Sequence, residues 1–256
     1  MRSTGSFAAG LLPVLASLST TVLAHGHVQY HVMNSATYTG FLPVATPDFT
    51  ADPPSIVRKI GGNGPVLDIE TTNITCNVGA APITASNGTG SLTGAVTAGT
   101  NITFQWNEWP HSGPIMTYMA RCTPDCGSFT GSSGAVWFKI DEWGYRNGTW
   151  GSQKLVDDGH VWRATVPACL AAGEYLVRHE IIALSDCKTE GKCQFYPSCA
   201  QVTVEGGGTA VPEGEDVLIA LPGGYKTDGV GILWDTNTQL PADYVTPGPA
   251  VFECPS

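Results

Sequence analysis

Apolar residues in this chain come in short runs of about five to eleven residues, and glycine, proline or asparagine punctuates the stretches between them. Helical periodicity is scarce, so the runs read as strands. They lie at His25–Met33, Asn101–Trp106, Ile115–Ala120, Val136–Ile140, Val161–Thr165, Gly173–Ala183 and Cys199–Val204. Gly61-Gly62-Asn63-Gly64-Pro65, Asn87-Gly88, Asp158-Gly159 and Gly206-Gly207-Gly208 supply turns. Many short strands with such turns predict an all-β fold, a β-sandwich. Long loops are expected at Tyr38–Asn73, Asp186–Pro197 and from Gly206 onward. In a compact domain, loops of that length are functional or tied by disulfides.

The 256 residues suffice for one well-buried domain. With 42% apolar and only 13% charged residues, the chain is not disordered. Its net charge of −10 and lack of a basic cluster exclude nucleic acid and anionic membranes as partners. Eight cysteines predict a disulfide framework in a secreted chain. Cys122 with Cys126 and Cys187 with Cys193 could close small loops, while Cys76 with Cys199 and Cys169 with Cys254 could tie distant segments. Composition alone does not choose among the pairings. A zinc cluster is disfavoured because Cys-x-x-Cys pairs are missing.

The start of the chain supplies the secretory address. Residues 1–24 carry one early charge, Arg2, then an apolar stretch ending in Val22-Leu23-Ala24. Pro13, Ser17, Ser19, Thr20 and Thr21 interrupt that stretch, so it reads as a cleaved signal peptide and not as a membrane span. Residues 25–256 are then a single domain, expected to be secreted, extracellular and monomeric. Sequons at Asn73, Asn87, Asn101 and Asn147 fit that route.

Cleavage after Ala24 makes His25 special. Its free amine and imidazole can chelate one metal, and a distant histidine could add a third nitrogen. Nitrogen-rich tetragonal geometry suits copper(II). His111 sits in Trp109-Pro110-His111-Ser112-Gly113-Pro114, a loop before an apolar strand. His27 and His31 read as exposed or hydrogen-bonded, His160 as a turn residue, and His179 with Glu180 as a buried polar network.

The spread of motifs resembles a known family. His25-Gly26, Ile74-Thr75-Cys76-Asn77, His111-Ser112-Gly113-Pro114, Tyr118-Met119-Ala120, Gly173 to Leu184, Gln194-Phe195-Tyr196 with Cys199, and Pro247-Gly248-Pro249 occur in order. Together they resemble the fungal lytic polysaccharide monooxygenases of auxiliary activity family nine. The resemblance implies an immunoglobulin- or fibronectin-like sandwich with a flat copper-bearing face and no separate carbohydrate-binding module. It implies that His25 and His111 form a histidine brace for one copper ion, with Tyr196 axial and Gln194 beside it. It also implies the disulfides Cys76–Cys199 and Cys122–Cys126. At a position where the family usually has histidine, this chain has Ser185.

The implied activity is copper-dependent oxidative cleavage of cellulose or a related β-glucan. An external reductant and O2 or H2O2 would be co-substrates, with hydroxylation beside the glycosidic bond. Tyr38, Phe41, Tyr225 and Tyr244 are candidate substrate contacts, since sugar rings stack on exposed aromatic faces. Two rival readings are a non-catalytic copper- or glucan-binding protein on the same scaffold, and a glycoside hydrolase using Glu108, Asp141 or Glu142.

Overall fold

The structure is a computed structural model that describes residues 25–40, 55–85 and 90–255. The leader, Phe41 and the sequon at Asn87 lie outside those residues. Twelve strands form among them: β1 (Val28–Met33), β2 (Ala36–Thr39), β3 (Gly94–Thr97), β4 (Asn101–Trp106), β5 (Ile115–Arg121), β6 (Ala135–Trp143), β7 (Tyr145–Arg146), β8 (Thr149–Trp150), β9 (Val161–Thr165), β10 (Gly173–Ala183), β11 (Gln194–Glu205) and β12 (Leu218–Ala220). Two short helices accompany them, α1 (Asn73–Cys76) and α2 (Gly151–Asp157). A four-stranded sheet runs β2-β1-β4-β9, and a six-stranded sheet runs β12-β6-β5-β10-β11-β3. The fold is therefore the all-β sandwich that the strand pattern predicts.

Alternation along β10 shows how the six-stranded sheet is clad. Tyr175, Val177, Ile181 and Ala183 enter one apolar cluster with Phe104 and Ile102 of the facing sheet. Leu176 and Ile182 enter a second cluster with Val66, Ile69, Ile74, Leu221, Tyr225 and Trp234, all contributed by loops or α1. Both faces of β10 are thus buried, which is why its sequence reads as a nearly continuous apolar run. The long loops wrap the outer face of the larger sheet.

That cladding needs internal polar anchors. Arg178, fully buried, makes a two-point contact with Glu180 at 2.8 and 2.5 Å and donates to the carbonyls of Ile74 and Thr75. Arg58 donates to Gln201 and to the carbonyls of Cys126, Phe129 and Thr130. Each anchor satisfies backbone groups that a buried loop would otherwise leave unpaired. Four disulfides form, Cys76–Cys199, Cys122–Cys126, Cys169–Cys254 and Cys187–Cys193. No helix among the described residues is long and apolar enough to cross a membrane.

Several boundaries differ from the sequence reading, two of them next to the site. The first strand begins at Val28 and not His25, because His27 leaves the ladder and its backbone N–H donates to Asn107 Oδ1 at 2.7 Å. β11 begins at Gln194, inside the expected loop Asp186–Pro197. Pro197 disguised it, since proline argues against a central strand. There the outer edge of β11 carries only the single bridges Val57↔Ala200 and Val66↔Phe195, and β3 joins it only from Val202. The Asn147-Gly148 sequon is also the tight turn between β7 and β8, with φ of 53° and 80°.

Candidate metal centre

One end of the sandwich gathers residues from three distant stretches. The segment before β1 brings His25, the β4–β5 loop brings His111, and the start of β11 brings Gln194 and Tyr196. The rings of His25 and His111 lie 6.4 Å apart at 61°, and those of His25 and Tyr196 lie 6.1 Å apart.

Each side chain has a local reason to be there. Asn63, from the glycine-rich turn, donates to the His25 carbonyl at 3.0 Å, and its Oδ1 lies 2.6 Å from His27 Nδ1. Gly26 lies against Trp109, where an added Cβ would stand 2.7 Å from the indole. The His111 loop is tied to α2 by Gly113 N–H to Ser152 Oγ at 2.9 Å and Ser152 N–H to the Gly113 carbonyl at 3.1 Å. It is tied to the end of β10 through Ser112 and Leu184. Trp109 donates from its indole to the His111 carbonyl at 2.7 Å, and its ring meets Tyr196 edge-on at 4.7 Å.

Behind the tyrosine runs a short polar chain. Tyr196 donates to Gln194 Oε1 at 2.8 Å, and Gln194 Nε2 donates to Asp186 Oδ2 at 2.9 Å. A carboxylate can only accept, so Asp186 fixes which end of the amide faces it. The carbonyl end is left for the phenol proton, and the phenol lone pairs remain available. Burial first, and then the Asp186 charge, push the Tyr196 phenol well above its ordinary pKa, which keeps it neutral. The Cys187–Cys193 bridge closes the loop that carries Asp186.

The donor set suits a metal that accepts nitrogen. Two facing imidazoles at metal–nitrogen distances of about 2.0 Å, plus the half-width of each ring, span a centroid separation of this size. No group of three or more His, Cys, Asp or Glu able to hold a metal occurs among the described residues. A third donor here has to be of another kind, and the Tyr196 oxygen beside His25 is one.

Other expectations need correction. Tyr225 and Tyr244 are buried, at 3% and 8% exposure, so neither presents a face to substrate. Tyr225 donates to Glu180 at 3.0 Å and lies 3.0 Å from the Tyr118 hydroxyl, and Tyr244 donates to the Gly231 carbonyl at 2.7 Å. Each hydroxyl finds its partner inside, which lets the ring pack under its own loop. Tyr38 is half-buried against the sandwich core. His31 is neither exposed nor hydrogen-bonded among the described residues. His27 is hydrogen-bonded, as expected, through Asn63, but it is buried, and desolvation lowers its pKa. Asn101 and Asn147 are exposed, while Asn73 is half-buried at the start of α1. Two of the three carboxylates proposed for hydrolysis are bound up structurally, while Glu108 is exposed. Asp141 accepts from the Trp162 indole, and Glu142 is held by Lys139 and Thr246. Asn63, Asn107, Trp109 and Asp186 escaped the sequence reading. Only Trp109, two residues from His111, carried a signal.

Comparison with known proteins gives a consistent result. The family model for Auxiliary Activity family 9 (formerly GH61) matches residues 25–244. The chain is 40% identical over 240 residues to AA9 family lytic polysaccharide monooxygenase F of Botryotinia fuckeliana, covering 91% of this chain and 94% of that one. It is 42% identical over 240 residues to AA9 family lytic polysaccharide monooxygenase B of Malbranchea cinnamomea, covering 90% and 93%. Among solved structures, HiLPMO9B superposes with a TM-score of 0.78 at 36% identity over 90% of this chain and 100% of that one. A cellulose-active polysaccharide monooxygenase from M. thermophila gives 0.75 at 34% identity, over 90% and 99%.

Proposed function

The chain belongs to Auxiliary Activity family 9 and is a lytic polysaccharide monooxygenase, and from that premise we propose that it uses one copper ion to cleave cellulose or a related β-glucan. The observation that carries the metal is the facing pair His25 and His111 beside Tyr196. The family match begins at His25, which supports a processed terminus there. The His25 amine and imidazole, the His111 imidazole and the Tyr196 oxygen would hold the ion. Bound copper would supply one-electron chemistry toward O2 or H2O2, fed by an external reductant.

The chain's own residues do the positioning. Asn63 fixes the backbone of His25, and the ties from Gly113 and Ser112 fix His111. Gln194 accepts the Tyr196 proton, which leaves the phenol lone pairs free, and Asp186 fixes which end of the Gln194 amide does so. The substrate's part is to lie over this end of the sandwich and exclude water, so that hydroxylation falls on a carbon beside the glycosidic bond. A relative described as cellulose-active supports the substrate class. Four disulfides and the secretory leader support an extracellular enzyme.

The test is mass spectrometry of soluble products from cellulose. The protein should be processed to His25, loaded with copper and given ascorbate, with a chelator-treated control. Oligosaccharides carrying one added oxygen, or lacking two hydrogens, should appear only with copper. Bound copper with no oxidised product would overturn cellulose as substrate.

A further inference from the structure

Between Gly26 and Tyr196 lies a small cavity of about 10 Å³, which His27, Trp106 and Ser198 also line. That is the lower limit of what a single water occupies, about 10–15 Å³. His27 and Trp106 are 5% and 2% exposed. Each carries one buried ring nitrogen, His27 Nε2 and Trp106 Nε1, with no hydrogen-bond partner among the described residues. Buried polar groups are nearly always partnered, so two such nitrogens on residues lining one cavity point to an occupant.

The senses of the two nitrogens identify it. An indole nitrogen can only donate. The sense at His27 follows from the other side of its ring. The His25 carbonyl can only accept, so the Asn63 atom beside it, at 3.0 Å, is the amide nitrogen. That turns Asn63 Oδ1 toward His27 Nδ1, 2.6 Å away, and an acceptor there requires Nδ1 to carry the proton. In the neutral ring Nε2 is then an acceptor. Water accepts from the indole and donates to the imidazole, and the Ser198 hydroxyl lines the same space. A cation would meet the Trp106 N–H and an anion would meet the His27 lone pair, so neither suits.

The same bonds reach a candidate metal ligand. The His27 backbone is pinned, since its N–H donates to Asn107 Oδ1 at 2.7 Å and its carbonyl accepts from the Asn107 N–H at 3.2 Å. The position of the ring proton then decides how Asn63 sits. A proton on Nε2 would leave Nδ1 facing the Asn63 oxygen with nothing to share. Turning the amide over would set that oxygen against the His25 carbonyl. A water donating to Nε2 holds the proton on Nδ1. From Trp106 through water, His27 and Asn63 to the His25 carbonyl, every bond then runs in one direction, and each polarises the next.

We propose that the cavity binds one water molecule bridging Trp106 Nε1 to His27 Nε2, and that His27, so fixed, is a positioning residue for His25. The water stands on the fold, while the positioning role rests on the copper reading above. The first test is NMR of 15N-labelled protein processed to His25, with its copper held reduced under nitrogen. His27 should show a protonated Nδ1 and an unprotonated Nε2, and the Trp106 indole N–H should show a direct Overhauser effect to a long-lived water. A proton on Nε2, or an indole N–H with no water beside it, would overturn the site. The second test is substitution. His27→Asn keeps an amide N–H near the place of Nδ1, and His27→Leu keeps none. In calorimetry His27→Leu should weaken copper affinity about tenfold and shift the Cu(II) electron paramagnetic resonance spectrum, while His27→Asn should restore both. Asn63 is half-buried in its loop, so Asn63→Ala should fold and show the same two losses. An affinity and spectrum like the parent's in Asn63→Ala or His27→Leu, or no rescue by His27→Asn, would overturn the positioning role. A parent that binds no copper would overturn the copper reading and the positioning role with it, and the NMR result alone would then decide the water.

Discussion

Gly26 and Gly113 have no room for a side chain, and each lies beside a candidate ligand. A Cβ at Gly26 would stand 2.7 Å from Trp109 and 2.9 Å from the Glu108 carbonyl, and one at Gly113 would stand 1.8 Å from the Ile182 carbonyl. Gly26→Ala should therefore cost about 1–3 kcal/mol of stability through overpacking and displace His25. Thermal melts and copper calorimetry on the same variant read both effects. His111→Ala should abolish tight copper binding, and an unchanged affinity by calorimetry would remove the brace. Asp186→Ala releases Gln194, and outer contacts of this kind are worth about 10–100-fold in metal affinity or activity. A Cu(II) electron paramagnetic resonance spectrum identical to the parent's would show that Asp186 orients nothing. Of these residues, His25 and His111 were legible because a terminal chelate and a loop histidine match a family pattern. Asp186, Asn63 and Asn107 were not, because nothing in a polar loop residue's own sequence says what it faces.

At the level of elements, strands read well where one rule operates and badly where two compete. β4, β9 and β10 keep the limits that alternation and turn residues gave them. The first half of β11 was lost to Pro197, and α2 was too short for its period to register, with Leu155 as its one fully buried apolar side chain. The loops were the harder case. An apolar residue in a loop looks the same whether it faces water or a sheet, so Tyr225 and Tyr244 could be placed only by the fold. The disulfides rank by the loop each closes. Removing Cys76–Cys199, with a separation of 123 residues, should cost about 5 kcal/mol, and removing Cys187–Cys193, with a separation of 6, about 2 kcal/mol. Paired Cys→Ser variants in urea titrations should keep that order, and only the second should disturb copper affinity, through Asp186.

The whole sandwich carries a pH liability between its sheets. His31 and His179 are fully buried, flank Phe104, and leave three ring nitrogens without partners among the described residues. Burial pushes the His31 pKa down to about 3, and burial with the charges of His31 and Arg178 lowers His179 as well. The unfolded chain takes up these protons near pH 6.5 and the folded chain does not. For His31, stability is therefore complete above that pH and falls as acid is added, toward about pH 3, by up to about 1.4 kcal/mol per pH unit, and His179 acts in the same direction. His31→Phe should flatten the pH dependence of the urea midpoint between pH 6 and 4. A slope equal to the parent's would exclude His31 as its source.

The Cys169–Cys254 bridge ties the last part of the chain to the loop between β9 and β10. That loop leads into Gly173, while His25 and His111 gather beyond Ala183 at the other end of β10. Eleven residues of strand, about 36 Å, separate the two ends. The molecule thus has a working tip and a handle. A linker, label or solid support attached after Cys254 would hold the oxidising tip outward and free to meet a fibre. The same attachment made ahead of His25 would cap the amine proposed to hold the metal.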